Sequence, residues 1–280
     1  MRVDNINPSN GTGVPQDRKS SEQEEVAKLI KLMSGSIDDK RNAALVVGCY
    51  KPEFAALALP KLIELLDDNN EFVVVGALTS IGNIGSEVEI QKDDLLKVVH
   101  LLNDKKHKHP YSIYGSGVQY NTAYAIEKIG PNAKTVVKEF VEEIEKLVSD
   151  KDFDPSLVEF AVLALAMIGK DAEVARPLLD KFKSGQIKSD WDLSEVLDNV
   201  NLALAMIEPK EDNAITFFMD WVQSNKYIDG YKEIDKLEKV GGRSKCGINL
   251  LNRILNEKDI SDTARNAINK ALQGVSKTNI

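Results

Sequence analysis

An apolar phrase that closes on glycine recurs along this chain, and it constrains the fold more than any other feature. It reads AALVVG at Ala43–Gly48, GALTSIGNIG at Gly76–Gly85, TAYAIEKIG at Thr122–Gly130, AVLALAMIGK at Ala161–Lys170 and NLALAMIEPK at Asn201–Lys210. A weaker copy, EIDKLEKVGG, lies at Glu233–Gly242. Aligned on Gly85, the equivalent positions are Lys51, Gly85, Gly130, Gly169, Glu208 and Gly241, at intervals of 34, 45, 39, 39 and 33 residues. Periods of about 33–47 residues belong to stacked helix pairs, each of which buries its apolar face against its neighbours. The glycines are expected to end helices in the left-handed conformation that lacks a steric cost only without a Cβ. The alanines just before them, such as Ala77, Ala125 and Ala164, let neighbouring helices approach closely.

The partner helix of each pair is also legible. ALPKLIELLDD at Ala58–Asp68 places a proline in the first turn and then an apolar stripe, Leu62, Ile63, Leu65 and Leu66. Comparable segments are LLKVVHLLND (Leu95–Asp104), VVKEFVEEIEKLVSD (Val136–Asp150), ARPLLDKFKSG (Ala175–Gly185) and AITFFMDWVQSN (Ala214–Asn225). The reading is an all-α solenoid of about six to seven antiparallel helix pairs over residues 21–274. Its body opens at Ser21, which with Glu24 forms an S-x-x-E capping box. Residues 1–20 and 275–280, poor in large apolar groups, are expected to be disordered tails.

At this point the chain resembles the HEAT-repeat family and its bacterial HEAT-like members. The resemblance rests on ALPKLIELLDDNNEFVVVGALTSIGNIG at Ala58–Gly85 and on ARPLLDKF with its partner helix. It implies a superhelix whose second helices, over about 71–84, 118–129, 156–168 and 190–207, line a concave face. One family element is absent. The Arg that the pattern puts eight residues before the first Gly of the phrase is replaced by Lys40, Val74, Gln119, Val158 and Leu197. The resemblance therefore predicts a divergent array without the usual Asp–Arg ladder.

The longest interval contains an insertion, NDKKHKHPYSIYGSGVQYNTAY at Asn103–Tyr124, with four of the seven tyrosines. Long loops on rigid scaffolds often carry function, and tyrosine is enriched at binding hot spots. Tyr111, Tyr114, Tyr120 and Tyr124, with His107 and His109, are the candidate binding residues. The same tyrosines could instead fold back over a gap in the irregular repeat. His100, His107 and His109 lie within ten residues, but H-x-H in a charged loop reads as solvated, and no metal or other cofactor is expected.

Other features read as structural. The acidic helix Glu139–Asp154 looks like a solvated outer face. Asp150, Asp152 and Asp154 imitate a calcium loop, but Pro155 stands where it requires glycine. Trp191 and Trp221 are expected in the core, and Cys49 and Cys246 as packed, reduced thiols. No nucleophile, base and orienting group come together as a catalytic set.

Net charge is −8 with pI near 5.1, which disfavours a nucleic-acid partner, since phosphate binding rests on Lys and Arg. No run of about 18 apolar residues or cleavable leader is present, so no membrane span is expected and the compartment reads as cytoplasmic. The functional expectation is a non-enzymatic scaffold that binds a protein or peptide on its concave face, at the insertion, or both. The resemblance supplies the alternatives, a bilin lyase-type or other enzyme accessory role, or a structural assembly subunit.

Overall fold

The structure, a computed structural model, describes residues 16–107, 117–149, 152–207 and 245–256, with scattered positions from 262 to 273. All regular structure among the described residues is helical. The helices are α1 (Gln16–Leu32), α2 (Ile37–Val47), α3 (Pro52–Ala55), α4 (Leu59–Leu65), α5 (Glu71–Gly85) and α6 (Lys92–His100). There follow α7 (Gly117–Ile129), α8 (Val137–Val148), α9 (Pro155–Ile168), α10 (Arg176–Lys183), α11 (Ser194–Ile207) and α12 (Lys245–Leu255). Helices α2, α5, α7, α9 and α11 pack side by side in that order and form one row, the B row. The A row holds α1, α3–α4, α6, α8 and α10, each packed on the B helix that follows it in the chain. The described residues thus build five consecutive pairs of an α-solenoid, as the repeat predicts.

Local chemistry starts three of the B helices. Ser36 and Asp39 form a reciprocal capping box before α2. The Asn70 side chain accepts from the Phe72 and Val73 N–H groups, and Asp154 accepts from Ser156 N–H ahead of α9, which also has Pro155 in its first turn. Helix α1 begins at Gln16, five residues before the expected start, so Ser21 lies inside a helix. Residues 1–15, the copy at Glu233–Gly242, the segment Ala214–Asn225 and the tail 275–280 lie outside the described residues.

The repeat glycines divide into two kinds. Gly130 and Gly169 take positive φ, 56° and 74°, but Gly169, with ψ −136°, is outside the left-handed helical conformation expected of it. Gly85 remains within its helix and serves close approach. A Cβ there would fall 2.7 Å from Ile129 Cγ1 and 2.8 Å from Ile90 Cδ1. The core between the rows is largely aliphatic, with Leu62, Leu78, Ile81 and Ile126 fully buried beside the aromatic Phe140.

Two expectations about packing fail. Trp191 is not in the core: it precedes α11 in an exposed turn and is 58% exposed. Cys49 is free and exposed, because it sits just past the end of α2 where the chain turns outward. Trp221 and the Cys246 side chain lie outside the description.

One rung of the ladder survives in altered form. Lys40 Nζ lies 2.9 Å from Asp68 Oδ2 and ties the first B helix to the turn of the next repeat. Burial works against the Asp68 charge, but hydrogen bonds from Lys40 and the Asn70 N–H hold its carboxyl below the usual range. Asp68→Asn should therefore cost about 1 kcal/mol at neutral pH. A depressed carboxyl contributes above its unfolded pKa and loses that contribution as pH falls through its folded value. The gap in denaturation midpoint between the two proteins should accordingly close in acid.

Candidate binding surface

The B row has a second, less apolar stripe on the side away from the A row. On α5 it runs through Phe72, Val75, Thr79 and Asn83. On α7 the corresponding residues are Tyr120, Tyr124 and Lys128, and on α2 they are Arg41 and Leu45. All are wholly or partly exposed, Phe72 at 63% and Leu45 at 47%. The stripe closes beyond the first turns of α9. Leu163 and Met167, which align with Tyr124 and Lys128, are 4% and 1% exposed, and Leu202 and Met206 on α11 are likewise buried. The accessible part of this face is therefore α2, α5, α7 and the start of α9.

Rigid contacts hold its side chains. The Tyr120 hydroxyl donates to Asp154 Oδ2 at 2.6 Å, and its ring meets Phe160 edge-on with centroids 5.8 Å apart. Asp154 thus caps α9 and orients an aromatic ring on α7 at once. The Lys128 ammonium lies 5.2 Å from the centroid of the Tyr124 ring. Glu71 Oε1 accepts from Gly117 N–H at 2.8 Å and pins the start of α7 to α5.

The structure places the expected site residues unevenly. Tyr120 and Tyr124 share one face of α7, four residues apart. His107 is buried beneath the turn after α6. Its Nδ1 lies 3.0 Å from Asp104 Oδ2 and its Nε2 3.1 Å from the Asp68 carbonyl oxygen. Lys106 Nζ donates to the Asp67 and Asp68 carbonyl oxygens beside it. The His107 contacts tie the root of the insertion to the end of α4. Tyr111, Tyr114 and His109 lie outside the described residues. The sequence reading missed Phe72, Leu45 and Lys128. Their signal was the i, i+3/i+4 spacing of residues 72, 75, 79 and 83 opposite the core stripe.

The acidic helix is not wholly a solvated face. Glu143 is buried between α6 and α8. Its carboxylate receives His100 Nδ1 at 3.0 Å, Asn103 Nδ2 at 2.7 Å and Lys146 Nζ at 2.7 Å. Burial works against its charge, yet these donors outweigh it and hold the carboxyl below the ordinary glutamate range. Among the described residues no three His, Cys, Asp or Glu side chains cluster as metal ligands, and no helix is long and apolar enough to cross a membrane.

No protein-family model and no curated protein sequence matches this chain. Solved structures share its fold. The CpcE–CpcF complex of phycocyanin lyase from Nostoc sp. PCC7120 aligns over 98% of this chain and 100% of its own, at 16% identity and TM-score 0.55. An engineered protein aligns over 90% of this chain and 97% of its own, at 20% identity and TM-score 0.51. A computationally designed armadillo repeat protein for modular peptide recognition covers 89% and 99%, at 19% identity and TM-score 0.46. At these identities the likeness concerns the fold alone: this chain has the fold of a HEAT-like helical-repeat solenoid.

Proposed function

We propose that this protein is a non-enzymatic scaffold that binds a protein or peptide segment on the open part of its B-row face, the side that the resemblance to HEAT repeats implies is concave. The observation that carries this reading is the stripe itself. Leu45, Thr79, Tyr124 and Lys128 stand accessible on a rigid framework, while their counterparts on α9 and α11 are buried. Amphipathic rings held by fixed contacts lose little entropy on binding, which suits Tyr120 and Tyr124 to contact a partner. Tyr111, Tyr114 and His109, which precede α7 in the chain, are assigned to the same proposed site. With a net charge of −8 the partner is read as protein, not nucleic acid.

Photo-crosslinking in the source cell tests this directly. A photoreactive side chain at position 79 or 124 should give the same discrete adduct, and one at exposed position 64 or 142 on the A row should give none. Tyr124→Ala should weaken capture at position 79 about tenfold or more, the loss of a hot-spot tyrosine. Absence of adducts from both B-row positions would sink the reading.

A second reading, a lyase-type accessory role, is favoured only by the full-length likeness to the CpcE–CpcF complex. Co-expression with a bilin and an apo-acceptor, without pigment transfer, removes it.

A further inference from the structure

The His107 side chain is only 3% exposed and that of Asp104 is 7% exposed, although the charged run DKKH at Asp104–His107 reads as a solvated loop. Both ring nitrogens of His107 face oxygen. Nδ1 lies 3.0 Å from Asp104 Oδ2, which also accepts from the His107 N–H at 3.0 Å, and Nε2 lies 3.1 Å from the Asp68 carbonyl oxygen. Asp104 Oδ1 accepts from the Lys106 N–H at 3.3 Å. The Asp68 carboxylate is engaged separately, by Lys40 at 2.9 Å and by the Asn70 N–H at 2.8 Å, so it is the main-chain oxygen of Asp68 that meets the ring.

A carbonyl oxygen only accepts, and so does an ionised carboxylate, whereas a neutral imidazole has one N–H and one lone pair. With the proton on Nε2, the Nδ1 lone pair would face Asp104. With the proton on Nδ1, the Nε2 lone pair would face the Asp68 carbonyl. Turning the ring over would put carbon at both contacts. Every donor and acceptor is matched only when the His107–Asp104 pair holds one proton more than a neutral ring beside a carboxylate. A buried acceptor that faces a lone pair has lost its water without gaining a partner. The surrounding charges pull both ways. Asp104 and the carbonyl end of α4 favour the extra proton. Lys106, whose Nζ donates to the Asp67 and Asp68 carbonyl oxygens at 2.9 and 3.0 Å, and Lys105 oppose it. Both lysines are exposed, so solvent screens them more than it screens the buried contacts of the ring. On the flanking helices Glu71 accepts from the Gly117 N–H, and Glu143 holds His100, Asn103 and Lys146.

We infer that His107 is a proton-dependent clasp: protonated, it locks the turn after α6 to the turn after α4, and deprotonated, it releases them. The turn after α4 leads directly into α5, so the clasp steadies the start of the helix that bears Phe72, Val75 and Thr79. The inference goes beyond the scaffold reading and does not depend on what the face binds. An imidazole in water gives up its proton at about pH 6.5. A closed turn that needs this proton is favoured most below that pH and progressively less above it. The sense is opposite to that of the Asp68 and Glu143 carboxylates, whose contributions are lost in acid.

Nitrogen NMR of the imidazoles in the full chain tests it, with His107→Gln identifying the signal. At about pH 7 both ring nitrogens of His107 should carry protons, where a free imidazole is mostly neutral. Opening of the turn is read from hydrogen exchange of the Lys106 and His107 amides, both bonded to Asp104, after correction for base catalysis. It should increase about five- to tenfold between about pH 6 and pH 8. In His107→Gln the Lys106 amide should open more at both pH values, and the change between them should shrink to about twofold or less. Asp104→Asn, whose amide can donate to the lone pair of a neutral ring, should likewise flatten the dependence. Matching thermal melts at about pH 6 would show that both variants stay folded. A His107 ring with a single proton at about pH 7 would overturn the inference. So would a pH dependence of opening that persists undiminished in His107→Gln, because the titrating group would then lie elsewhere.

Discussion

Gly48→Ala is expected to destabilise the first repeats by about 2–3 kcal/mol, although it adds a single methyl group. Gly48 has φ −70° and ψ −5°, which any residue can adopt, so its conformation is no obstacle. The obstacle is α5. A Cβ at Gly48 would lie 2.5 Å from Ser80 Oγ, 2.8 Å from its Cβ and 2.7 Å from its Cα. A side chain could rotate away, but a Cα moves only with its helix. The Gly48 N–H donates to Ser80 Oγ at 3.1 Å, and that hydroxyl reaches the Ala44 and Leu45 carbonyl oxygens near the end of α2. Pushing α2 off α5 therefore strains the core and removes partners from buried polar groups. The measurement is the guanidinium midpoint, followed with amide exchange in α2. Gly48→Ala/Ser80→Gly should recover part of the loss, because it removes Oγ and Cβ while the Cα remains. An unchanged midpoint for Gly48→Ala would show that the helices are not in this contact. Leu45 and Thr79 lie on the two helices that would separate, so partner capture at position 79 should weaken in parallel.

The same contact shows how far the sequence could be read. The phrase AALVVG identifies a helix end and its period identifies a solenoid, because both depend on local spacing. The B helices over about 71–84, 118–129 and 156–168 accordingly appear within a residue or so of where they were expected, while the one over about 190–207 starts only at Ser194. Whether a given glycine turns the chain or makes room for a neighbour depends on the next helix in space. Gly130 does the first and Gly85 the second, yet both close the same phrase. The candidate surface was legible only in part, for the same reason. Tyr120 and Tyr124 could be placed on one face from their spacing of four. The accessibility of Thr79 and the burial of Leu163 at the matching position depend on what packs over each helix. Trp191 was misread because a tryptophan's large apolar area argues for burial wherever the chain allows it, and the turn at Asp190–Asp192 does not.

Glu143→Ala should separate α6 from α8 more readily than any change on the exposed rim of the same helix. Four acids of this segment look alike in sequence, but Glu142 and Glu145 are exposed and Glu139 is paired with Lys92 at 2.8 Å near solvent. Only Glu143 points into the junction of the two helices, where Asn103 holds both its carboxylate, at 2.7 Å, and its main-chain oxygen, at 2.9 Å. Hydrogen bonds to a buried charge are worth about 1.5–3 kcal/mol. His100 and Lys146 are each 62% exposed and recover water when released, so the net loss should lie near the lower end of that range, about 2 kcal/mol. The pH dependence follows from the sign of the shift. The folded carboxyl is held below its ordinary value, so its contribution is complete above the unfolded pKa and is lost as pH falls through the folded one. Urea midpoints of the native chain and Glu143→Gln should therefore differ clearly at about pH 7 and converge at about pH 3. Glu142→Gln, on the same helix but in water, should change neither value by a measurable amount. A gap for Glu143→Gln that persists undiminished in acid would show that the side chain stabilises the junction by packing, and the charge-based account of this contact would fall.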